Sequence, residues 1–289
     1  MTTIAVTAAT GQLGRLVVAA LLDRGVEPGS IVAAVRTPEK AADLAALGVD
    51  VREADYTRPD TLVAALQGVD RVLVISSDQI GDRAASQANV VAAAEQAGVA
   101  LLAYTSILNA DSTAMLLAAD HRATEARLRE SDLPVVLLRN GWYTENYTGQ
   151  LATTLEHGLV GASGDGRVQV APRKDFAEAA AIVLTGDGHE GRTYELAGDD
   201  ELSMPELATL FADATGREVA YQDVPVPVLA EILAGAGLPA PLNEILADSS
   251  AGVGRGELQN GSGDLARLLG RPTTPAVDTV REAAAAVAV

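Results

Sequence analysis

The chain has 289 residues, of which 48% are hydrophobic, 21% charged and only 3% aromatic, with a formal net charge of −18 and no cysteine. The apolar content supports a sizeable core of Ala, Val and Leu and argues against intrinsic disorder. The acidic balance, with no basic cluster to offset it, argues against nucleic-acid partners, and the missing thiols exclude disulfides and cysteine chemistry.

In chain order the first predicted strand is Ile4–Thr7, followed by a glycine-containing turn and a helix over Gln12–Arg24. Further strands are predicted at Ile31–Arg36, Val49–Glu53, Arg71–Ser76, Leu101–Thr105 and Val135–Arg139. Helical patterns at Glu39–Leu47, Thr61–Gln67, Ala84–Ala97 and Leu116–Ser131 separate them, with Thr37-Pro38 opening one helix and Gly98 closing another. The strands are short continuous apolar runs, the pattern of strands covered by helices on both faces. Alternating strand and helix predict an α/β fold, a Rossmann-like doubly wound parallel sheet that takes ligands at the carboxyl ends of its strands.

Beyond residue 140 the pattern loosens. Residues 161–166 ("GASGDG") read as a turn, 192–197 as a returning strand centred on Tyr194–Ala197, and Pro225–Leu246 as short helices broken by Gly and Pro. Residues 248–263 ("DSSAGVGRGELQNGSG") read as a flexible loop or lid. The expected organisation is an NAD(P)-binding Rossmann domain over 1–150 and a smaller carboxyl-terminal α/β lobe over 151–289. The amino terminus enters a strand directly and no apolar run reaches bilayer length, so a cytoplasmic protein without membrane insertion is expected.

The stretch "TAATGQLG" (7–14) follows a strand and opens a helix, the setting in which a glycine pattern cradles a pyrophosphate at a helix amino terminus. Gly11 permits close backbone approach to the ligand, and Gly14 permits close packing of helix on strand. Ala8 stands where a third glycine would fall, and alanine is poor at positive φ. The loop is therefore expected to hold Ala8 in the extended β region. At the end of the second strand, where a carboxylate would favour the free 2′-hydroxyl of NAD, the chain has Arg36, with Lys40 one turn later. An arginine there suits the 2′-phosphate of NADP, which its planar guanidinium can grip through two hydrogen bonds.

Together with "TAATGQLG", the segments "VDRVLVISS", "AYTSIL", "LLRNGWYTENY", "GHEGRTYELAG" and "GRPTTP" resemble the NmrA-like branch of the atypical short-chain dehydrogenases. Within that branch they are most similar to the bacterial NADPH:quinone oxidoreductases of the type 2 class. The resemblance runs from Ile4 to about Pro275. It implies a Rossmann domain with a small carboxyl-terminal domain, NADPH as cofactor and a small quinone as substrate. Carried over by position, cofactor contacts are implied at Thr10, Gly11, Gln12, Leu13, Gly14, Arg36, Ser76, Ser77, Thr105, Asn140, Gly141, Trp142, Tyr143 and Arg173.

Typical short-chain dehydrogenases use a Tyr-x-x-x-Lys pair to protonate a forming alkoxide. The two lysines here, Lys40 and Lys174, are preceded four residues earlier by Arg36 and Val170, so the pair does not exist. In the corresponding helix stand His121 and Glu125, four apart, a spacing that suits an intrahelical hydrogen bond as well as a proton relay. His121, Asn140 and Tyr143 remain as candidate catalytic residues. Reducing a ketone needs a proton donor, whereas a quinone yields a weakly basic hydroquinone anion that can take its proton from water. Positioning beside the nicotinamide can then supply much of the rate.

The scattered His121, His157 and His189 give no metal-ligand spacing, and Ser106 lacks the glycines of a nucleophile elbow. Trp142, Tyr143 and Tyr147 offer either a flat wall for a quinone ring or ordinary core packing. Two readings stay open: NADPH-dependent quinone reduction by hydride transfer, or an NmrA-like NADP(H)-sensing regulator without turnover.

Overall fold

The protein is described here by a computed structural model over residues 2–77 and 83–287. Its first half alternates strand and helix as the apolar runs predict: β1 (Ile4–Thr7), α1 (Gln12–Asp23), β2 (Ile31–Val35), α2 (Ala42–Ala46), β3 (Asp50–Glu53), α3 (Pro59–Ala65), β4 (Arg71–Val74), α4 (Arg83–Ala97), β5 (Leu101–Ile107), α5 (Ala118–Arg129) and β6 (Val135–Asn140). The predicted helix over Glu39–Leu47 splits into a 3-10 turn, Pro38–Ala41, and the short α2. Then come β7 (Trp142–Tyr143), α6 (Glu145–Thr148), α7 (Leu151–His157), β8 (Leu159–Gly161), β9 (Arg167–Ala171), α8 (Arg173–Thr185) and β10 (Thr193–Leu196). The remainder is β11 (Asp200–Ser203), α9 (Met204–Thr215), β12 (Tyr221–Asp223), α10 (Val226–Gly235), α11 (Ala240–Gly254), α12 (Asp264–Leu269) and α13 (Ala276–Val287).

Seven strands form the main sheet in the order β10-β6-β5-β4-β1-β2-β3. Strand β1 runs parallel to both β2 and β4, pairing Ile4 with Ile31 and with Arg71. Successive strands leave β1 in opposite directions, so the topological switch lies between β1 and β4, where doubly wound folds bind ligands. Alternate side chains face opposite sides of the sheet. Ala5, Val32, Ala34, Val72, Val74, Leu102 and Tyr104 pack on one side against Leu62 and Leu66 near α3, Val90, Val91 and Ala94 of α4, and Leu128 of α5. On α1 the buried residues Leu13, Gly14, Val17, Val18 and Leu21 recur at helical spacing, and α1 packs along α8.

Two compact units interleave along the chain. One comprises Met1–Ile107, Asp120–Arg139 and Arg173–Tyr194, and carries almost the whole seven-stranded sheet. The other comprises Leu108–Ala119, Asn140–Pro172 and Glu195–Val289, and contains the small sheets β11-β9-β7 and β12-β8. Helix α9 in this second unit starts on a complete capping box, with Ser203 and Glu206 satisfying each other's backbone N–H groups, and ends on left-handed Gly216.

The segment 248–263 departs from the flexible lid expected of it. Residues 248–254 are the last two turns of α11, with Ser249, Gly252 and Val253 buried. A Cβ on Gly252 would lie 2.8 Å from the Met115 sulfur, so the small residue is what lets the helix pack there. Downstream, Glu257 accepts from Thr113 Oγ1 at 3.2 Å and from the Ala114 N–H at 3.1 Å, while Ser262 Oγ donates to Glu195 O at 2.7 Å. Small and polar residues here serve close packing and anchoring; the same composition reads as a loop when partners are out of view.

Candidate functional site

The glycine loop in the first unit is set by backbone contacts. The Gly11 N–H donates to Ala8 O at 2.9 Å, closing a turn between β1 and α1. A Cβ on Gly14 would lie 2.4 Å from Ala8 O and 2.7 Å from Ala9 Cα, so only glycine lets the helix start that close to the turn. Ala8 itself has φ of 48°, a left-handed conformation, which corrects the expectation of an extended backbone there. The turn requires positive φ at this position whatever its residue, and alanine accepts a strain of about 1–2 kcal/mol.

Helix α1 begins on Gly11 with no side-chain cap and no acidic residue in its first turn. Its leading N–H groups and the positive end of its dipole are therefore left for an external acceptor. Gly11 and Gln12 are exposed, Thr10 is half-buried, and Leu13 and Gly14 are buried. This arrangement fits the pyrophosphate of a dinucleotide.

Arg36 follows the last residue of β2 and is exposed, as is Lys40 in the 3-10 turn behind it. The backbone N–H of Thr57 holds the Asp55 carboxyl below its usual range, with a smaller contribution from the Arg36 charge. Across the switch point, the Ser76 N–H donates to Thr105 Oγ1 at 2.8 Å, tying the chain after β4 to β5. Ser77 and Arg173 are half-buried, Arg173 as the first residue of α8.

The helix that would carry the missing Tyr-x-x-x-Lys pair holds two separate buried arrangements instead. His121 and Glu125 each find a partner outside the helix, in place of the intrahelical bond that their spacing allows. His121 Nδ1 and Tyr104 OH lie 2.9 Å apart. Burial, reinforced by the Arg83 charge, lowers the His121 pKa to about 3, and burial raises that of Tyr104. Both are neutral at physiological pH. Glu125, fully buried, accepts from Arg139 at 2.6 and 2.9 Å, from Ser106 Oγ at 2.6 Å and from Arg129 at 3.0 Å. It latches α5 onto β5 and β6.

In the second unit, Asn140 Nδ2 donates to Tyr143 OH at 3.1 Å, while the buried Asn140 Oδ1 and Thr144 Oγ1 have no partner among the described residues. Gly141 donates its N–H to Leu196 O at 2.7 Å, and a Cβ there would come within 2.8 Å of that oxygen. Trp142 and Tyr143, half-buried, pair in β7 with Val170 and Ala171 of β9.

Arg15, in the first turn of α1, was not singled out by the sequence. It donates through Nε to Thr10 O at 3.2 Å and through Nη2 to Lys40 O at 2.8 Å, and its Nη1 pairs with Asp43. Partners 25 and 28 residues away leave no local pattern to read. Among the described residues no group of three or more His, Cys, Asp or Glu could hold a metal ion, and no helix is long and apolar enough to cross a membrane.

The family model described as NmrA-like matches residues 1–271. The chain is 46% identical over 278 residues to quinone oxidoreductase 2 of Escherichia coli (strain K12), covering 96% of this chain and 97% of that protein. Among solved structures, an NADPH-dependent quinone oxidoreductase from Escherichia coli complexed with NADPH superposes with a TM-score of 0.93 at 45% identity, over 97% of this chain and 99% of that one. A Citrobacter sp. triphenylmethane reductase complexed with NADP(H) gives a TM-score of 0.92 at 39% identity, over 97% and 100%.

Proposed function

The chain belongs to the NmrA-like family, and from that premise we propose that it is an NADPH-dependent quinone oxidoreductase. The observation that carries the reading is the uncapped amino terminus of α1 behind a glycine turn, with Arg36 and Lys40 exposed after the adjacent strand. With a net charge of −18 the chain repels an anionic dinucleotide at long range, so local donors must hold it. The first-turn N–H groups of residues 12–14 bind the pyrophosphate, and Arg36 with Lys40 binds the 2′-phosphate that distinguishes NADPH from NADH.

Bound there, the nicotinamide supplies a hydride to the quinone. The chain's own residues orient and exclude water rather than exchange protons. The Ser76–Thr105 hydrogen bond ties the chain after β4 to β5, on the side where the sheet opens to its ligand. Ser77 and Arg173, in the same unit as the glycine turn, complete the cofactor side there by position. His121, neutral and bonded to Tyr104, leaves hydroquinone protonation to water. A cytoplasmic setting, where NADPH is regenerated, goes with this reading.

The test is direct. NADPH absorbance falls on addition of a small water-soluble quinone, faster than NADH absorbance at equal concentration, while simple ketones produce little change. Tight NADPH binding with no loss of absorbance for any quinone would overturn the enzyme reading in favour of a nucleotide-sensing regulator.

A further inference from the structure

A single guanidinium links the two parts of the dinucleotide site proposed above. Arg15 Nε holds the Thr10 carbonyl in the glycine turn, and Nη2 holds the Lys40 carbonyl in the 3-10 turn that follows Arg36. Its third nitrogen pairs with Asp43, at the start of α2. The Arg15 and Asp43 side chains are 37% and 61% exposed, and an ion pair so placed contributes only about 0–1 kcal/mol to stability. What the three contacts fix is geometry: the distance between the pyrophosphate cradle and the turn that presents Lys40. They also neutralise Asp43, a carboxylate three residues beyond Lys40 that would otherwise oppose a phosphate there.

We propose that Arg15 is a positioning residue for cofactor selection, holding the Arg36–Lys40 turn at the separation from the glycine loop that a 2′-phosphate requires. The proposal rests on the reading of Arg36 and Lys40 as the 2′-phosphate site. The glycine turn keeps its own Gly11–Ala8 hydrogen bond without Arg15, so removing Arg15 should leave the contacts common to both cofactors in place. The planar fork matters as well as the charge. Lysine at this position can pair with Asp43 but cannot span two carbonyls at once.

Equilibrium titrations by NADPH and NADH fluorescence test this on Arg15→Ala, Arg15→Lys, Arg36→Ala and the Arg15→Ala/Arg36→Ala double variant, with thermal melts alongside. Both Arg15 variants should lose about three- to tenfold of the preference for NADPH, the worth of one hydrogen bond, with NADH affinity held. In the Arg36→Ala background, which keeps Lys40, adding Arg15→Ala should cost NADPH less than Arg15→Ala costs the wild type, because the tether acts only through the placing of those two cations. Three results would overturn the proposal: an unchanged preference, an equal loss for both cofactors with a lowered Tm, or additive losses, which would make Arg15 a direct ligand. If the wild type shows no preference for NADPH, or Arg36→Ala leaves one intact, the underlying site assignment fails. If Arg36→Ala abolishes the preference and Arg15→Ala preserves it, only the role of Arg15 fails.

Discussion

Two polar regions of the first unit are built on opposite terms. At the start of α1 the donors have no side-chain acceptors, the nearby cations are exposed, and the turn stores strain at Ala8. On α5 the polar groups are buried and matched, with Glu125 accepting from Arg139, Arg129 and Ser106, and His121 bonded to Tyr104. A ligand site needs groups left open in the protein alone, whereas a structural network must be closed to survive burial. The position that usually houses catalytic acid chemistry in short-chain dehydrogenases is here of the closed kind. For the proposed quinone reduction, that contrast favours chemistry that depends on position rather than on a side-chain acid.

The largest effect expected is on the closed side. Glu125→Ala takes away the carboxylate that accepts two hydrogen bonds from Arg139, whose side chain is 6% exposed. The expected loss is about 3–5 kcal/mol of unfolding free energy in urea titration. A loss under about 1 kcal/mol would show that water reaches the cluster, and the contrast between the two regions would fail.

On the open side the effects fall on binding. Arg36→Ala should weaken NADPH by about 1.5–3 kcal/mol, roughly ten- to hundredfold, and change NADH little. Isothermal titration with both cofactors decides it, and equal losses would remove Arg36 from the 2′-phosphate site. Gly14→Ala should abolish binding of both, because its Cβ would meet the backbone of Ala8 and Ala9 at 2.4 and 2.7 Å and force the turn open. Retention of full NADPH affinity in that variant would mean the turn is not what cradles the phosphates.

Smaller, and of opposite sign, is the effect at Ala8. With φ already at 48°, Ala8→Gly relieves strain without moving the backbone and should stabilise the fold by about 1 kcal/mol. NADPH affinity should stay within about twofold, since the turn keeps its shape. A lower Tm in differential scanning calorimetry, or a large gain in affinity, would contradict the view that the turn is preformed.

The open region was the more legible in sequence, for a physical reason. A glycine turn between strand and helix, and a cation just after the second strand, are local features whose meaning depends on neighbours within a few residues. The apolar runs were equally readable, and strands β1 to β6 lie where those runs fall. Ala8 was misjudged because alanine's preference was weighed without the 8–11 hydrogen bond that overrides it. Glu125 was read against His121 on its own helix, but its partners Arg139 and Ser106 lie 14 and 19 residues away. The 248–263 segment failed likewise, since Met115, Thr113 and Glu195, which hold it, are distant in sequence. Closed networks are made of long-range partners, and sequence spacing does not display them.

The smallest effect is expected at His121, and it is the sharpest test of the contrast. Its pKa of about 3 in the fold lies below the ordinary 6.5, chiefly through burial. Above pH 6.5 the imidazole is neutral folded and unfolded, so titration leaves stability unchanged. As pH falls from 6.5 towards 3 the unfolded chain takes up a proton that the fold does not, and stability declines. The difference in unfolding free energy between wild type and His121→Asn should therefore shrink across that window and stay flat above it. Catalysis should behave otherwise. A neutral imidazole with no accessible proton at pH 7 has nothing to donate, so His121→Asn should keep kcat for a small quinone within about threefold. A fall of about 100-fold with unchanged NADPH affinity, the scale of general acid catalysis, would make His121 the proton donor. That outcome would place a working acid inside the network read here as closed.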